Sequence, residues 1–254
     1  MHIDLNSDVG ESYGAWSMGQ DDALMPLVTS ANIACGAHAG DPVVMARTIR
    51  LAAAHGVAIG AQPGYPDRDG FGRRDLAMTP EELASSLLAQ LGALAAIARS
   101  EVGAELRHVK PHGALYNRAA RDPALAETIA RTVARFSRDV VLVGLAGSAL
   151  VDAGRDAGLA IAAEAFADRA YEADGSLRAR GLPGAVLESP DEAARQARTI
   201  VVDGLVRAHD GSVVEVRADT LCIHGDTPDA PAYARQVRET LAADGVAIAP
   251  VGRA

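Results

Sequence analysis

The sequence is almost without lysine. Lys110 is the one lysine among 24 basic side chains, and every other is arginine. A lysine ammonium can lose its proton when it is desolvated, whereas an arginine guanidinium keeps its charge. Lys110 lies close in sequence to His112 and Tyr116, so an ammonium, an imidazole and a phenol are clustered in one short segment. This clustering favours a functional site over an incidental surface lysine.

Cysteine and long apolar runs are also scarce. Two cysteines, Cys35 and Cys222, are too few for a disulfide framework, and we interpret both as packed thiols. Asp4, Asp8 and Glu11 interrupt the N-terminal region, which argues against a signal peptide. The sequence offers no run of about 18 apolar residues for a membrane span. We therefore expect a cytoplasmic protein with no membrane partner.

Positive charge does not dominate the chain. The formal net charge is −9 and the arginines are scattered, which argues against a nucleic-acid partner. Hydrophobic residues make up 49% of the sequence but aromatic residues only 4%. This composition is typical of an α/β protein with a large aliphatic core, and we expect its ligand to be a small molecule.

Several catalytic signatures are missing as well. The sequence contains no Gly-x-x-x-x-Gly-Lys-Ser/Thr phosphate loop, no Gly-x-Ser-x-Gly elbow, no Cys-x-x-Cys and no His-Glu-x-x-His. If ATP takes part in the reaction, the chain has no familiar nucleotide motif with which to bind it.

Short apolar runs alternate with longer amphipathic segments along the chain. The predicted strands are residues 2–5, 30–34, 57–61, 106–109, 140–143, 160–163, 220–223 and 246–249. The predicted helices run from about 41 to 56, 79 to 100, 122 to 135, 189 to 208 and 229 to 244, and most open with a capping residue followed by proline. Repeated strand–helix units predict a (β/α) barrel of seven or eight parallel strands, folded as a single domain over residues 1–254. A doubly wound open sheet is the alternative.

Polar side chains gather where these strands end. In parallel barrels the catalytic groups lie at the carboxyl ends of the strands, and this rule selects the candidate site. We predict Asp8, Glu11, His38, Lys110 and His112 as catalytic residues. The predicted substrate-binding residues are Asn6, Gln62, Tyr65, Arg73, Arg74, Glu164, His224 and Asp226.

Each candidate also has a structural interpretation. Asp8 and Glu11 could cap a following helix. His38, three residues before Asp41, could belong to a metal-ligand set, a base–orienter pair or a structural contact. The pair Arg73 and Arg74 could hold a phosphate or carboxylate, or simply lie in a solvated loop. The residues alone leave the metal requirement open.

Together, these motifs resemble the LamB/YcsF family. The matching segments are residues 4–11, 31–41, 64–67, 70–74, 109–117, 164–169 and 221–228, in the family's order across nearly the whole chain. Gln62 and Ala170 depart from the pattern, in which His and Arg are common. The resemblance implies the A subunit of 5-oxoprolinase, which uses ATP as co-substrate and works with partner subunits B and C. It also implies a barrel like that of glycoside hydrolases and polysaccharide deacetylases.

The implied reaction opens 5-oxo-L-proline (pyroglutamate) to L-glutamate. Such a site needs a base for water, cations for the developing oxyanion or phosphate, and an anchor for the substrate carboxylate. We assign the base to Asp8 or Glu11, with a relay through His38. Lys110 and His112 would stabilise the oxyanion or phosphoryl group.

The remaining assignments concern binding. Arg73 or Arg74 would hold the substrate carboxylate, while His224 and Asp226 would complete the polar wall. Without a phosphate loop, ATP would be handled mainly by the partners. Two other functions stay open: a metal-dependent deacetylase-like hydrolase and a non-catalytic metabolite-binding subunit.

Overall fold

Seven parallel strands close into a barrel in the computed structural model, which describes residues 1–225 and 229–252. The barrel strands are β1 (His2–Val9), β2 (Ser30–Ala34), β3 (Ala58–Gln62), β4 (His108–Val109), β5 (Val141–Leu145), β6 (Ala160–Phe166) and β9 (Thr220–Cys222). They pair in that order, and β9 closes the ring on β1. The barrel prediction is therefore confirmed.

Three short strands lie outside the ring. β10 (Ala247–Ile248) pairs with the first residues of β1, while β7 (Leu205–Arg207) and β8 (Val213–Glu215) form an antiparallel hairpin. The hairpin was not predicted, because its strands are short and one of them is largely exposed.

Eight α-helices connect the strands within the described residues. They are α1 (Asp21–Leu24), α2 (Pro42–Ala54), α3 (Pro80–Val102), α4 (Gly113–Ala119), α5 (Pro123–Phe136), α6 (Ala149–Asp156), α7 (Pro190–Arg198) and α8 (Ala230–Ala243). α3 begins with a capping box: the Thr79 hydroxyl accepts from the Glu82 amide, and the Glu82 carboxylate accepts from the Thr79 amide. Asp41 caps α2 by accepting from two backbone amides.

The prediction of one helix through residue 208 was wrong. α7 ends at Arg198 and continues as a π-helical turn, Thr199–Asp203, which stops at Gly204 in the left-handed region with φ 71°. Glycine adopts that conformation at little cost, so it ends the helix there. The short helices α1, α4 and α6 were also not predicted.

Among the described helices, α3 alone is long and apolar enough to cross a membrane by length and composition. Its buried residues include Leu83, Leu87, Leu91 and Leu94, which repeat at helical spacing. The helix packs against α2 and α5. This is the packing of a helix in the outer layer of a barrel.

The interior of the barrel is polar. Along β1, Ile3, Leu5 and Val9 belong to the apolar core, while the alternate residues Asp4, Asn6 and Asp8 bond to polar groups of other barrel strands. The predicted ends of β1 and β6 were therefore too early, since Asn6, Asp8 and Glu164 lie within strands rather than after them. In a sequence, the polar residues that face the interior of a barrel resemble the polar residues at the start of a loop.

Candidate active site at the carboxyl end of the barrel

Lys110 lies at the centre of the polar interior, just after β4. Its Nζ is 2.7 Å from Glu164 Oε1 and 3.0 Å from Asp8 Oδ1. It also donates to Asn6 Oδ1 at 3.2 Å and contacts Cys222 Sγ at 3.1 Å. Burial alone would lower the pKa of Lys110, but the nearby carboxylates outweigh it and raise that pKa well above its usual range. The ammonium is therefore a permanent buried cation.

Asp8 is held as a carboxylate by the same contact. Burial would raise its pKa, but the Lys110 ammonium lowers it below the ordinary value, helped by a hydrogen bond of 2.9 Å from Asn32 Nδ2. Although the sequence assigned Asp8 a possible role as base, a carboxylate with a strongly depressed pKa takes up protons poorly. Its geometry fits better with holding the ammonium in place.

A network of hydrogen bonds holds the side chains that contact Lys110. Asn6 Nδ2 donates to Glu164 at 2.9 Å and to Thr220 Oγ1 at 2.7 Å, and Thr220 in turn donates to Asp4 at 2.5 Å. Because these side chains form hydrogen bonds with one another, the groups that contact Lys110 have a fixed orientation.

His108, in β4, belongs to the same network of buried polar side chains. Its Nε2 lies 2.8 Å from Asn32 Oδ1, and burial lowers the pKa of His108 to about 3. The ring occupies space that is open only because residue 60 is glycine: a Cβ on Gly60 would lie 2.0 Å from it. The sequence predicted no role for His108, whose side chain is buried inside the barrel.

A second pair of interacting polar side chains consists of Asp168 and His224. His224 Nδ1 lies 3.0 and 3.1 Å from the two oxygens of Asp168, which also accepts from the His224 amide. Burial would raise the pKa of Asp168, but His224 lowers it to about 2. Because a carboxylate only accepts, Nδ1 carries the proton and neutral His224 has its lone pair on Nε2. The pair has the geometry of a base and its orienting group.

His38 and His112 stack face to face. Their ring centroids are 3.9 Å apart, with an interplanar angle of 5°. Burial lowers the pKa of His112 to about 4 and that of His38 well below its usual range. Gln62 lies near His38 and acts on its pKa, although neither side chain forms a well-aligned hydrogen bond among the described residues. Both imidazoles are therefore neutral near pH 7.

A strained loop orients His112. Phe71, a non-glycine residue with φ 56°, places its carbonyl oxygen 2.9 Å from His112 Nε2. The carbonyl requires a proton on Nε2, so the lone pair of His112 is on Nδ1, which lies 3.7 Å from Glu11.

Two groups of side chains have donor atoms close enough to share a cation. One is Asp8, Cys222 and His224; the other is Glu11, His38 and His112. The first group already surrounds a cation, because the Lys110 ammonium contacts both Asp8 and Cys222. The second group consists of ligand types that suit Zn²⁺, but its two imidazoles are parallel, and parallel rings do not direct both lone pairs at one point.

The two neighbouring arginines have separate environments. Arg74 bonds to the buried carboxylate of Asp67, with Nε 2.9 Å from Oδ1. Arg73 instead lines the opening of the site, and its guanidinium lies over the Phe71 ring. Of the two, Arg73 is thus placed to meet a ligand, whereas Arg74 fastens the loop.

The site opens through a cavity at the carboxyl end of the barrel. Its walls are Asp8, Glu11, Arg73, Lys110, Pro111, His112, Gly113, Tyr116, Asn117, Phe166, Arg169, Leu177, Arg180 and His224. Most predicted catalytic residues reach it, while Asn6, Gln62 and Glu164 lie behind them. Tyr65 is buried in the apolar core and does not line this cavity. Asp226 lies outside the described residues.

Several residues at this site were not predicted from the sequence. Arg169 and Arg180 line the cavity and Asp168 contacts His224; all three belong to the irregular segment that follows β6. Phe166 packs 5.2 Å from His224, and Tyr116 lies one helical turn beyond His112. The available signal was the Asp168-Arg169 pair directly after a strand.

The chain is similar to known proteins over nearly its whole length. The family model described as the LamB/YcsF family matches residues 3–254. The A subunit of 5-oxoprolinase from Chloroflexus aggregans is 58% identical over 98% of both chains, and that from Methylococcus capsulatus is 58% identical over 98% of this chain and 96% of its own.

Solved structures extend the comparison to the fold. The lactam utilization protein from Thermus thermophilus superposes with a TM-score of 0.92 at 51% identity, covering 98% of this chain and 99% of its own. A structure described as T48 deacetylase with substrate has a TM-score of 0.50 at 12% identity over 98% of this chain and 88% of its own, which shows a shared fold alone. With its match to the family model and its similarity to these relatives, the chain belongs to the LamB/YcsF family.

Proposed function

We propose that this chain is the ring-opening component, the A subunit, of an ATP-dependent 5-oxoprolinase. The observation that carries the proposal is the convergence of a buried ammonium, Lys110, and an oriented imidazole, His224, on one cavity. The names of the similar proteins, which refer to 5-oxoprolinase and to lactam utilization, support a lactam as substrate.

The chemistry explains why ATP is needed. A lactam resists water, but phosphorylation of its oxygen makes the ring carbon electrophilic. Water then adds to that carbon, the carbon–nitrogen bond breaks, and the ring nitrogen takes up a proton, which leaves an acyl phosphate. A second water releases glutamate and inorganic phosphate. If phosphate left before the carbon–nitrogen bond broke, the lactam would re-form and the ATP would be wasted.

His224 is best suited to move the protons in this sequence. Its Nδ1 is committed to Asp168, so Nε2 can accept a proton from water and return it to the ring nitrogen. This role replaces our initial assignment of the base to Asp8, whose pKa is depressed by Lys110. Glu11 stays an alternative base, with His112 as its neighbour.

Lys110 supplies the positive charge that the reaction requires. The negative charge of the phosphoryl group and of the oxygen added from water would be stabilised by the ammonium, whose position is already fixed by Asp8 and Glu164. Arg73 is the residue we propose for the substrate carboxylate, because its side chain lines the opening of the cavity and that of Arg74 does not.

The formation of the activated lactam is assigned to the partners. The sequence has no phosphate loop, so we infer that subunits B and C bind ATP and phosphorylate the lactam in the cytoplasm, and that this chain acts afterwards. The isolated chain should then show little ATP hydrolysis.

Reconstitution tests the proposal directly. Glutamate release from 5-oxoproline and ATP would be measured with subunits B and C, with and without this chain. We expect strict dependence on the chain, loss of release in His224→Gln, and normal release in Arg131→Gln, an exposed residue of α5. Full release without the chain, or in His224→Gln, would overturn it.

A second candidate is a metal-dependent amide hydrolase. It is favoured by one observation, the group formed by Glu11, His38 and His112. Elemental analysis of the purified chain distinguishes the two: stoichiometric zinc that is lost in His38→Gln would support this candidate, and its absence would exclude it.

A further inference from the structure

A second cavity adjoins the active site and is lined by arginine. It measures about 590 Å³, and six guanidinium groups reach it: Arg73, Arg118, Arg121, Arg169, Arg178 and Arg180. Two carboxylates, Asp75 and Asp174, also line it. Six of the 24 basic residues thus surround one cavity, although the net charge of the chain is −9. We refer to it as the arginine cavity.

Arg169 lies at the boundary between the two cavities and is buried. Its Nε donates to the Ala185 carbonyl at 3.1 Å and its Nη2 to the Arg178 carbonyl at 2.6 Å. These two acceptors are carbonyls, which fix the guanidinium but carry no net negative charge, while the Asp168 carboxylate acts on Arg169 electrostatically. Burial and the nearby Arg180 lower the pKa of Arg169 to about 10. Two like charges are thus held together, an arrangement that an anion would stabilise.

The other walls are also suited to an anion. Ser148, the N-cap of α6, and Gly147 line the cavity, so the positive end of that helix dipole faces it. Several of the cations there interact with carboxylates: Arg118 bonds to Asp75, Arg178 bonds to Glu172, and Arg180 acts electrostatically on Asp168. Arg121, an exposed residue on the rim, forms no salt bridge with a carboxylate of the described residues.

The two cavities share a boundary. Arg73, Gly113, Asn117, Arg169, Leu177 and Arg180 line both. A ligand whose reacting carbon lies before Lys110 and His224 could therefore extend a charged group past Arg169 into the arginine cavity.

We propose that the arginine cavity binds the phosphoryl group of a small phosphorylated substrate and retains it until the ring has opened. This inference rests on the proposed function for the identity of that substrate, a lactam phosphorylated on oxygen. Guanidinium groups bind phosphate through paired hydrogen bonds, which a neutral lactam oxygen cannot match. The cavity would distinguish activated lactam from 5-oxoproline and hold phosphate while the carbon–nitrogen bond breaks.

Calorimetric titration of the full chain with inorganic phosphate tests the site without partners or turnover. We expect saturable binding that Arg180→Gln weakens by about tenfold and Arg121→Gln by about threefold. Arg131→Gln, whose side chain lies on α5 and pairs with Glu127, should leave the affinity unchanged. Arg121 is exposed, so its variant stays informative if substitution at the better-buried Arg180 disturbs folding.

Parallel titrations with ADP and ATP identify the source of the phosphate. Nucleotide binding that is tighter than phosphate binding, and weakened by the same substitutions, would overturn the assignment to a phosphorylated lactam. Absence of phosphate binding, or equal weakening in Arg131→Gln, would overturn the anion site itself. Glutamate release by the reconstituted complex is a separate readout, so the proposed function can survive the failure of this inference.

Discussion

Lys110 and Glu164 form a salt bridge of 2.7 Å from which water is excluded, since their side chains are 3% and 0% exposed. Removing one member of a buried pair leaves the other as an uncompensated charge. Substitution of either residue is therefore expected to lower stability as well as the proposed ring opening, and experiments on either residue must measure both.

Lys110→Met should destabilise the chain by about 3–5 kcal/mol, because Asp8 and Glu164 lose their shared cation. Urea unfolding measures this change. The control is Arg155→Gln, which removes an exposed pair with Asp152 and should cost less than about 1 kcal/mol. Similar losses in the two variants would contradict the buried-pair interpretation.

Asp168→Asn should reduce ring opening by about 100-fold or more while the KM changes little. An amide no longer requires the proton on His224 Nδ1, so the imidazole can adopt the wrong tautomer. Steady-state kinetics of the reconstituted complex measure the effect. A large rise in KM with unchanged kcat would show instead that Asp168 serves binding.

Acidification should destabilise the fold from about pH 6.5 downward. Burial lowers the pKa of His108 to about 3 and of His112 to about 4, and His38 shifts in the same direction. Between these values and the ordinary pKa, the unfolded chain binds protons that the folded chain does not, so stability falls as pH falls. Three such groups give a slope of up to about 4 kcal/mol per pH unit.

Urea unfolding at pH 7, 6 and 5 measures that slope. His209 is exposed, so His209→Asn should leave it unchanged. His108→Asn should make it shallower by about one third, or roughly 1.4 kcal/mol per pH unit. A stability that is constant between pH 7 and 5 would contradict neutral buried imidazoles.

Gly60→Ala should destabilise the fold by about 3 kcal/mol or more, because the new Cβ would lie 2.0 Å from the His108 ring. Gly92→Ala is the matched control: this glycine is inside α3 with nothing within 4 Å of the added Cβ. That substitution should stabilise the chain by about 0.5–1 kcal/mol. Thermal unfolding of the two variants should therefore shift in opposite directions.

Arg73→Gln and Arg74→Gln should separate binding from structure. We expect the Arg73 variant to raise the KM for the lactam about tenfold at unchanged stability, because its side chain lines the opening. The Arg74 variant should mainly lower the melting temperature, because it removes the ion pair with Asp67. A raised KM in the Arg74 variant, together with a lowered melting temperature in the Arg73 variant, would contradict these two roles.

The barrel could be predicted from sequence because each capped helix separates two apolar runs. The polar interior could not. His2-Ile3-Asp4-Leu5-Asn6 alternates like a strand with one face in water, yet in the structure residues 3–9 are buried on both faces. Alternation identifies which residues share a face, but not whether solvent or other polar strands lie opposite.

The site was predictable where it depends on position along the chain. Strand ends correctly brought Asp8, Lys110, His112 and His224 to one cavity. The contacts between site residues could not be predicted, because they depend on which strands become neighbours and in which register. The bond between Asp168 and His224 joins residues that are 56 positions apart in the sequence, and no local pattern predicts that contact.

The order in which the chain is synthesised determines when β1 and β9 can close the ring. β1 leaves the ribosome first, yet its partner, Thr220–Cys222, is more than 200 residues later. Until that segment emerges, one edge of β1 has no partner in the ring, and Asp4 lacks the hydroxyl of Thr220. The nascent barrel therefore stays open for most of translation, and the Lys110 site is complete only when the last ring strand is inserted.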